Sequence, residues 1–125
     1  MTLSTFIIAA IFCTPVSAQE KKQIVQLAKL VIDFTQLENY KALLKEGIET
    51  AVSVEPGVLT LYTVTRPEKT IPTLVAILEI NADTTAYKAH LQTPYFIKYK
   101  NTTKDVVKSL ELVEAVPLVP GMKIK

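Results

Sequence analysis

The order of strand-like and helix-like segments restricts the fold of this chain more than any other feature of its sequence. Four short stretches are dense in apolar and β-branched residues, which is typical of strands, and the stretches between them repeat apolar residues at helical spacing. The predicted strands are 27–34, 58–65, 73–80 and 109–116. The predicted helices are 36–54, 84–92 and 94–102. With the last two helices taken as one helical unit, the order is β-α-β-β-α-β, which predicts a ferredoxin-like α+β sandwich.

Local signals predict where the first helix begins and ends. Thr35 is followed three residues later by Glu38, which is the pattern of a capping box and predicts that Thr35 caps helix 36–54. The Glu-Pro-Gly run over 55–57 predicts that the helix ends there in a tight turn.

The predicted strands are apolar on both faces, whereas an antiparallel sheet with one face in water alternates apolar and polar residues more cleanly. In strand 58–65, Tyr62 and Val64 share one face while Leu59 and Leu61 share the other. The face that the helices leave open is therefore expected to be covered, most simply by a second copy of the chain in a homodimer. A monomer with an exposed apolar face is the alternative.

The N-terminal segment has the composition of an export signal. Residues 1–18 contain no charged side chain and include an unbroken apolar run over 6–12. The end of the segment, over 16–18, matches a signal-peptidase site, which predicts cleavage after Ala18 and a periplasmic or secreted protein. The run is shorter than the ~20 residues of a membrane span, so no stable membrane insertion is expected after cleavage. A buried N-terminal strand or helix and a lipid anchor at Cys13 are the alternatives.

Length and composition limit the remaining possibilities. The 125 residues suit one domain, predicted over 27–118, between a polar tether over 19–26 and a tail over 119–125. The net charge of +2 comes without a long Lys/Arg block, so no nucleic-acid partner is expected. One His and one Cys exclude a two-His metal site within one chain, and three scattered glycines form no phosphate-binding loop. We therefore predict no metal.

His90 is the one side chain that ordinarily titrates near neutral pH. It lies on predicted helix 84–92, and the aromatic residues Tyr95, Phe96 and Tyr99 follow across a Thr-Pro break. A histidine beside several aromatic rings at a helix break can line an apolar pocket for a planar ligand. The alternative is a histidine that hydrogen-bonds a backbone carbonyl near the end of its helix, beside aromatic residues of the core.

Three segments of this chain resemble the antibiotic biosynthesis monooxygenase (ABM) domain. They are EPGVLTLY over 55–62, LEI over 78–80 and YKAHLQTPYF over 87–96, and the resemblance extends over about 26–116. Members of this family form a dimeric α+β barrel in which two sheets pack face to face, so the resemblance implies that assembly here. Some members are cofactor-independent monooxygenases that oxidise quinols or polycyclic phenols with molecular oxygen. Others degrade haem or isomerise small molecules.

The resemblance also implies roles for particular residues. His90 matches a recurrent histidine of the family and is the predicted catalytic residue, which takes or steadies a phenolic proton. Tyr95 stands where many relatives carry a second histidine, and the absence of Trp argues against a haem-degrading site. The predicted substrate-binding residues are Tyr40, Tyr62, Tyr87, Tyr95 and Phe96. For Tyr40, Tyr62 and Tyr87, a place in the core or at the dimer interface is the alternative.

The function that the resemblance implies is therefore oxidation of a small quinol or phenolic compound by molecular oxygen, with no cofactor. The main alternative is a dimeric binding or stress-response protein of the same fold without catalysis. A third possibility is an isomerase or hydroxylase of another small carbonyl compound.

Overall fold

The structure, a computed structural model, describes residues 22–67 and 70–119. Its strands are β1 (Ile24–Ile32), β2 (Val58–Thr65), β3 (Thr73–Asn81) and β4 (Val107–Ala115). Its α-helices are α1 (Leu37–Val54), α2 (Thr84–Leu91) and α3 (Pro94–Thr103), and a short 3-10 helix over Phe34–Gln36 leads into α1. None of the helices in the described ranges combines the length and apolarity needed to cross a membrane. The predicted signal peptide over 1–18, with Cys13, lies outside the described residues.

The four strands form one antiparallel sheet in the order β2-β3-β1-β4. Leu30 of β1 pairs with Val75 of β3 on one side and with Leu110 of β4 on the other, so these three side chains point to the same face. All three α-helices lie on that face. Helix α1 follows β1, α2 follows β3, and α3 continues from α2 after a short break. This confirms the predicted ferredoxin-like α+β fold.

The core lies between the helices and the sheet. Alternate residues of the two central strands point towards the helices, and α1 supplies an aromatic and an aliphatic side chain that close over them. The buried core cluster consists of Leu30, Ile32, Tyr40, Leu44, Val75, Ile77 and Val106.

Strand β1 begins earlier than the pattern predicts. Gln26, which the sequence places in a polar tether, pairs with Glu79 of β3 and with Glu114 of β4. Pairing with β3 extends β1 to Ile24, and pairing with β4 extends it to Val25, despite these polar side chains. Strand β4 likewise lies over Val107–Ala115, two residues earlier at its start than the predicted 109–116.

The prediction that Thr35 caps the first long helix is wrong. The residue before α1 is Gln36, which makes no side-chain cap bond. Asp33 caps the preceding 3-10 turn instead, because its carboxylate accepts a hydrogen bond from the Thr35 backbone N–H at 3.0 Å. Glu38 reaches Lys41 at 3.5 Å rather than closing a capping box. The extra 3-10 turn moves the helix start beyond the position that a capping box at Thr35 requires.

The face of the sheet opposite the helices carries apolar side chains that no other element of the described chain covers. Tyr62 is 65% exposed and Val64 is 48% exposed, and Leu74 of the neighbouring strand is exposed beside them. The register pairs Tyr62 with Leu78 and Val64 with Ala76, so these residues form one continuous patch. We refer to this surface, formed by Tyr62, Val64, Leu74, Ala76 and Leu78, as the open face.

Candidate active site

A cavity of about 330 Å³ lies between the helix-side face of the sheet and helices α2 and α3. Its volume is at the lower end of the ~300–1,000 Å³ that is usual for small-molecule sites. Its walls are mainly aliphatic and aromatic, with contributions from all four strands. Of the predicted site residues, it is lined by Tyr87, His90, Tyr95 and Phe96.

His90 is fixed at the wall of this cavity by a carboxylate behind it. The side chain is 5% exposed, and its Nδ1 lies 2.8 Å from Glu55 Oε2. Glu55 itself is not part of the cavity lining. An ionised Glu55 can only accept, so in the neutral imidazole Nδ1 carries the proton and Nε2 has the lone pair. The partner of His90 is thus a carboxylate rather than the backbone carbonyl that the sequence left open.

The contact between Glu55 and His90 depends on a close approach of two backbone segments. Glu55 ends α1, and the turn after it packs Gly57 against Ala86, one helical turn before His90. A Cβ atom on Gly57 would lie 2.5 Å from the Ala86 Cβ, a distance that side chains do not tolerate. Asp83 accepts the Ala86 N–H at 2.8 Å and so caps the start of α2 at this contact. Because residue 57 is a glycine, the turn can lie close enough to α2 for the Glu55 carboxylate to contact His90.

A second carboxylate faces the other ring nitrogen. Glu79 lines the cavity, and its Oε2 lies 3.9 Å from His90 Nε2. Asn81 is fully buried and donates from Nδ2 to the same Glu79 oxygen at 2.9 Å, while its Oδ1 has no partner among the described residues. The gap between Nε2 and Glu79 is too long for a direct hydrogen bond. A substrate hydroxyl at this position would contact both groups.

Glu55, Glu79 and His90 are not arranged around a common point, as the ligands of a metal ion would be. Glu55 and Glu79 face opposite nitrogens of the His90 ring. Within 22–67 and 70–119, no group of His, Cys, Asp and Glu side chains has an arrangement that could hold a metal ion. The geometry is that of an oriented imidazole between two carboxylates.

Tyr95 is a second donor to the carboxylate that holds His90. Its hydroxyl donates to Glu55 Oε2, the oxygen that also accepts from His90. Burial, together with the hydrogen bond to Glu55 and its negative charge, raises the pKa of Tyr95 to about 12. Tyr95 therefore remains protonated at neutral pH and can donate to the Glu55 carboxylate.

The break between α2 and α3 positions the aromatic wall. Thr93 donates from Oγ1 to the His90 carbonyl at 2.8 Å and accepts the Phe96 N–H at 3.3 Å, which joins the end of α2 to the start of α3. Pro94 takes the first turn of α3, as predicted from the Thr-Pro pair. The Phe96 ring consequently packs against the His90 ring. The two ring centroids lie 5.1 Å apart, and the ring planes are tilted by 56°.

Two of the predicted wall residues lie elsewhere. Tyr62 points to the open face, because its neighbour Leu61 faces the helices and lines the cavity. Tyr40 is 1% exposed and belongs to the core, where its hydroxyl lies 2.8 Å from the Tyr99 hydroxyl. Tyr99 does line the cavity, so Tyr40 supports the wall from behind.

Three residues of the site, Glu55, Glu79 and Asn81, are not among those predicted from the sequence. Glu55 belongs to the predicted turn over 55–57, and its contact with His90 joins residues 35 positions apart. Glu79 and Asn81 did leave a signal, because they continue the helix-side alternation of β3 with polar side chains where apolar ones are expected.

Comparisons with known proteins give the family of this chain. No protein-family model and no curated protein matches it. A solved structure from Bacteroides thetaiotaomicron VPI-5482, assigned to the antibiotic biosynthesis monooxygenases, is 52% identical with a TM-score of 0.76. That match covers 83% of this chain and 97% of the Bacteroides protein.

Two further solved structures with the same assignment are more distant. The protein from Chloroflexus aurantiacus J-10-fl is 25% identical with a TM-score of 0.65, over 83% of this chain and 100% of that one. The protein from Nitrosomonas europaea is 18% identical with a TM-score of 0.70, over 81% of this chain and 95% of that one, and shows the fold alone. The match at 52% identity, over nearly the whole Bacteroides protein, confirms the resemblance seen in the sequence. The chain belongs to the antibiotic biosynthesis monooxygenase family.

Proposed function

We propose that this protein is a monooxygenase that oxidises a small quinol or phenol with molecular oxygen, and that His90 takes the hydroxyl proton. The single observation that carries the proposal is the orientation of His90. Its Nδ1 is held by Glu55 outside the cavity, which leaves Nε2 directed at the cavity side near Glu79. The names of the similar solved structures support the reaction class.

Proton removal prepares the substrate ring for oxygen. A phenolate is more electron-rich than its phenol and transfers electrons to oxygen more readily. A positioned general base typically contributes ~10²–10⁴-fold to a rate. With a quinol as substrate the equation balances without another reductant, since the quinol and O₂ give a hydroxyquinone and water. In this proposal no metal or flavin takes part.

The groups around His90 support that step in different ways. The Glu55 carboxylate stabilises the imidazolium that forms when Nε2 takes a proton, and the Tyr95 hydroxyl holds that carboxylate in place. Phe96 and the aliphatic strand residues exclude water from the ring-binding part of the cavity. Glu55 and Tyr95 are thus positioning residues, and His90 is the group that touches substrate.

Oxygen uptake with a panel of quinols and phenols tests the proposal. We expect uptake above the uncatalysed rate for at least one compound, and loss of roughly 10²-fold or more in His90→Ala. The matched control is Lys88→Ala, an exposed residue of the same helix that does not line the cavity, which should retain the activity. Uptake that is equal in wild type and His90→Ala would remove His90 from the mechanism.

Ligand binding without turnover is the second candidate. It is favoured by Tyr95, which hydrogen-bonds Glu55 at the position where a second imidazole would otherwise be available. This candidate predicts that quinols raise the melting temperature while oxygen consumption stays at the background rate. Product formation in the same samples excludes it.

We also propose that a second copy of the chain covers the open face, giving a homodimer with two sheets face to face. The support is the exposure of Tyr62 and Val64 in one continuous apolar patch. Export with cleavage after Ala18, and hence a periplasmic or secreted location, stays a prediction of the sequence. N-terminal sequencing of the protein recovered from the periplasm or medium tests it.

A further inference from the structure

The cavity runs along helix α3, and the side chains that line it change from aromatic at the start of that helix to basic at its end. Phe96, Lys100 and Lys104 recur every four residues, so their side chains lie on one side of the helix. Phe96 packs on His90 at the start of α3, whereas Lys104 follows its last residue. At 1.5 Å per residue, the rise from Phe96 to Lys104 is roughly 12 Å. Lys104 therefore lines the cavity at the end remote from His90, and Lys100 lines it one helical turn closer.

Both of these lysines lack a compensating carboxylate within the part of the chain that the structure describes. Elsewhere on the helices, Lys45 lies 2.8 Å from Glu49, and Lys98 lies 2.8 Å from Glu46. Neither Lys100 nor Lys104 has an acidic side chain within ion-pair distance among the described residues. Two neighbouring ammonium groups at the rim of an apolar cavity make a positive potential that attracts an anion.

The acidic side chain that lines the cavity lies at the opposite end. Glu79 is held there by Asn81, close to His90 Nε2. Its negative charge disfavours a carboxylate beside His90, while the lysines favour one at the rim. The phenolate that forms at His90 is paired with the imidazolium that forms in the same step. The positions of Glu79 and the two lysines thus favour an anionic ligand, and they favour the orientation in which its anionic group points away from His90.

We propose that the substrate is a hydroxyarene anion, with its reactive hydroxyl at His90 and a carboxylate or similar anionic group at Lys100 and Lys104. This proposal rests on the proposed function, because it names the substrate class of the same cavity. The apolar walls between the two ends hold the ring system. A neutral phenol can contact the apolar walls, but it offers no anionic group to the ammonium groups of Lys100 and Lys104.

Binding of three matched probes tests the substrate class. The probes are para-coumarate, which is anionic, para-coumaramide, which is neutral and nearly the same shape, and tyramine, which is cationic. We expect the full chain to bind para-coumarate roughly three- to thirtyfold more tightly than para-coumaramide, the range given by two partly exposed ion pairs. Tyramine should bind most weakly. The preference should shrink at high salt, because screening acts on exposed charges. Titration calorimetry gives all three dissociation constants.

Two double variants separate the cavity charges from net charge. In Lys100→Gln/Lys104→Gln the preference for para-coumarate over para-coumaramide should disappear, while para-coumaramide binding changes little. Lys41→Gln/Lys45→Gln removes the same two charges from α1, away from this cavity, and should keep the preference. Circular dichroism verifies that both variants are folded.

Three results would overturn the proposal. They are equal binding of para-coumarate and para-coumaramide by the wild type, an undiminished preference in Lys100→Gln/Lys104→Gln, and failure of the wild type to bind any of the probes. None of these depends on turnover. If the anion preference holds while no hydroxyarene is oxidised, the proposed function fails and the ligand class stands. If oxidation depends on His90 but the preference is absent, the ligand class fails and the function stands.

Discussion

Glu55 Oε2 lies 2.8 Å from His90 Nδ1, although the two residues are 35 positions apart in the chain. The contact joins the end of α1 to α2 and places the carboxylate on the side of the imidazole that faces away from the cavity. It selects the tautomer with the proton on Nδ1, and this leaves Nε2 able to accept a proton from a ligand. The state of the imidazole is therefore decided by a residue that does not line the cavity.

We expect Glu55→Gln to lower activity through His90 rather than through substrate binding. A neutral amide can donate as well as accept, so the imidazole is no longer held in one tautomer. The chain contains one His, so its imidazole ¹⁵N signals are unambiguous and report the tautomer directly. The Nδ1-protonated form should dominate in the wild type and lose its dominance in the variant. We expect kcat to fall by roughly ten- to a hundredfold, which is part of the ~10²–10⁴-fold effect of a general base.

The control for this prediction is Glu49→Gln, which removes an exposed carboxylate from the same helix and leaves His90 untouched. An unchanged imidazole spectrum in Glu55→Gln would contradict the assigned role of Glu55.

Tyr95 should make stability depend on pH in the alkaline range. Its pKa is raised to about 12 in the folded protein by burial and by Glu55, whereas an unfolded tyrosine has a pKa of about 10. Between these values the unfolded chain loses its proton first and binds fewer protons than the folded chain. Stability therefore falls as the pH rises from about 10 to about 12, and the contribution is fully present below about 10.

Urea unfolding at several pH values across this range tests the effect of Tyr95. The free energy of unfolding of the wild type should fall more steeply than that of Tyr95→Phe. Burial also raises the pKa of Tyr40 and of Tyr99, but both remain in the variant, so the difference between the two curves isolates Tyr95. Parallel curves would show that Tyr95 titrates normally.

Gly57→Ala should destabilise the protein and weaken the site. The added methyl group would meet the Ala86 Cβ at 2.5 Å, so the turn and α2 must move apart. Overpacking of this kind typically costs about 1–3 kcal/mol in the free energy of unfolding. The same movement separates Glu55 from His90, so activity should fall even at temperatures where the variant is folded.

Gly47→Ala is the matched control for that substitution. A Cβ at Gly47 would lie 3.9 Å from the Tyr99 Cβ, an ordinary contact, and the position is inside α1. Alanine there should stabilise the protein by about 0.5–1 kcal/mol, because glycine is a poor helix former. Denaturant unfolding of both variants measures the contrast, and equal effects would contradict the close approach at Gly57.

A charge on the open face should dissociate the proposed homodimer. Leu78 faces away from the helices beside Tyr62, so Leu78→Glu would bury a carboxylate between two sheets. Light scattering coupled to size-exclusion chromatography should give a dimer for the wild type and a monomer for this variant. Thr63→Glu adds the same charge one residue after Tyr62, but on the helix side of β2, and should leave the mass unchanged. A wild-type monomer would show that the open face is not covered by a second copy.

Much of the fold could be predicted from the chain because its signals are local. The apolar periodicities place β2 at its observed bounds, and the Thr93-Pro94 pair marks the start of α3. The errors occur where tertiary hydrogen bonds override local polarity. Gln26 is polar and yet lies inside β1, because strands on both sides pair with it.

The site was only partly predictable for the same reason. His90 and Phe96 lie near one another along the chain, and their association was expected from sequence. Glu55 and Glu79 reach the imidazole from separate elements, and no local pattern records such contacts. Because β2 is apolar on both faces, its sequence does not show whether Tyr62 points towards the helices or away from them.

The amino-acid sequence by itself thus determined the order of strands and helices, the apolar faces and the one histidine, since these follow from local spacing and composition. Only the tertiary structure decided which face of each strand meets the helices, because a shift of one residue in register moves every side chain of the strand to the opposite face of the sheet. It also decided the partners of His90. Glycine at 57 lets two backbone segments approach closely enough for Glu55 to hold the imidazole, and that approach exists only in the packed fold.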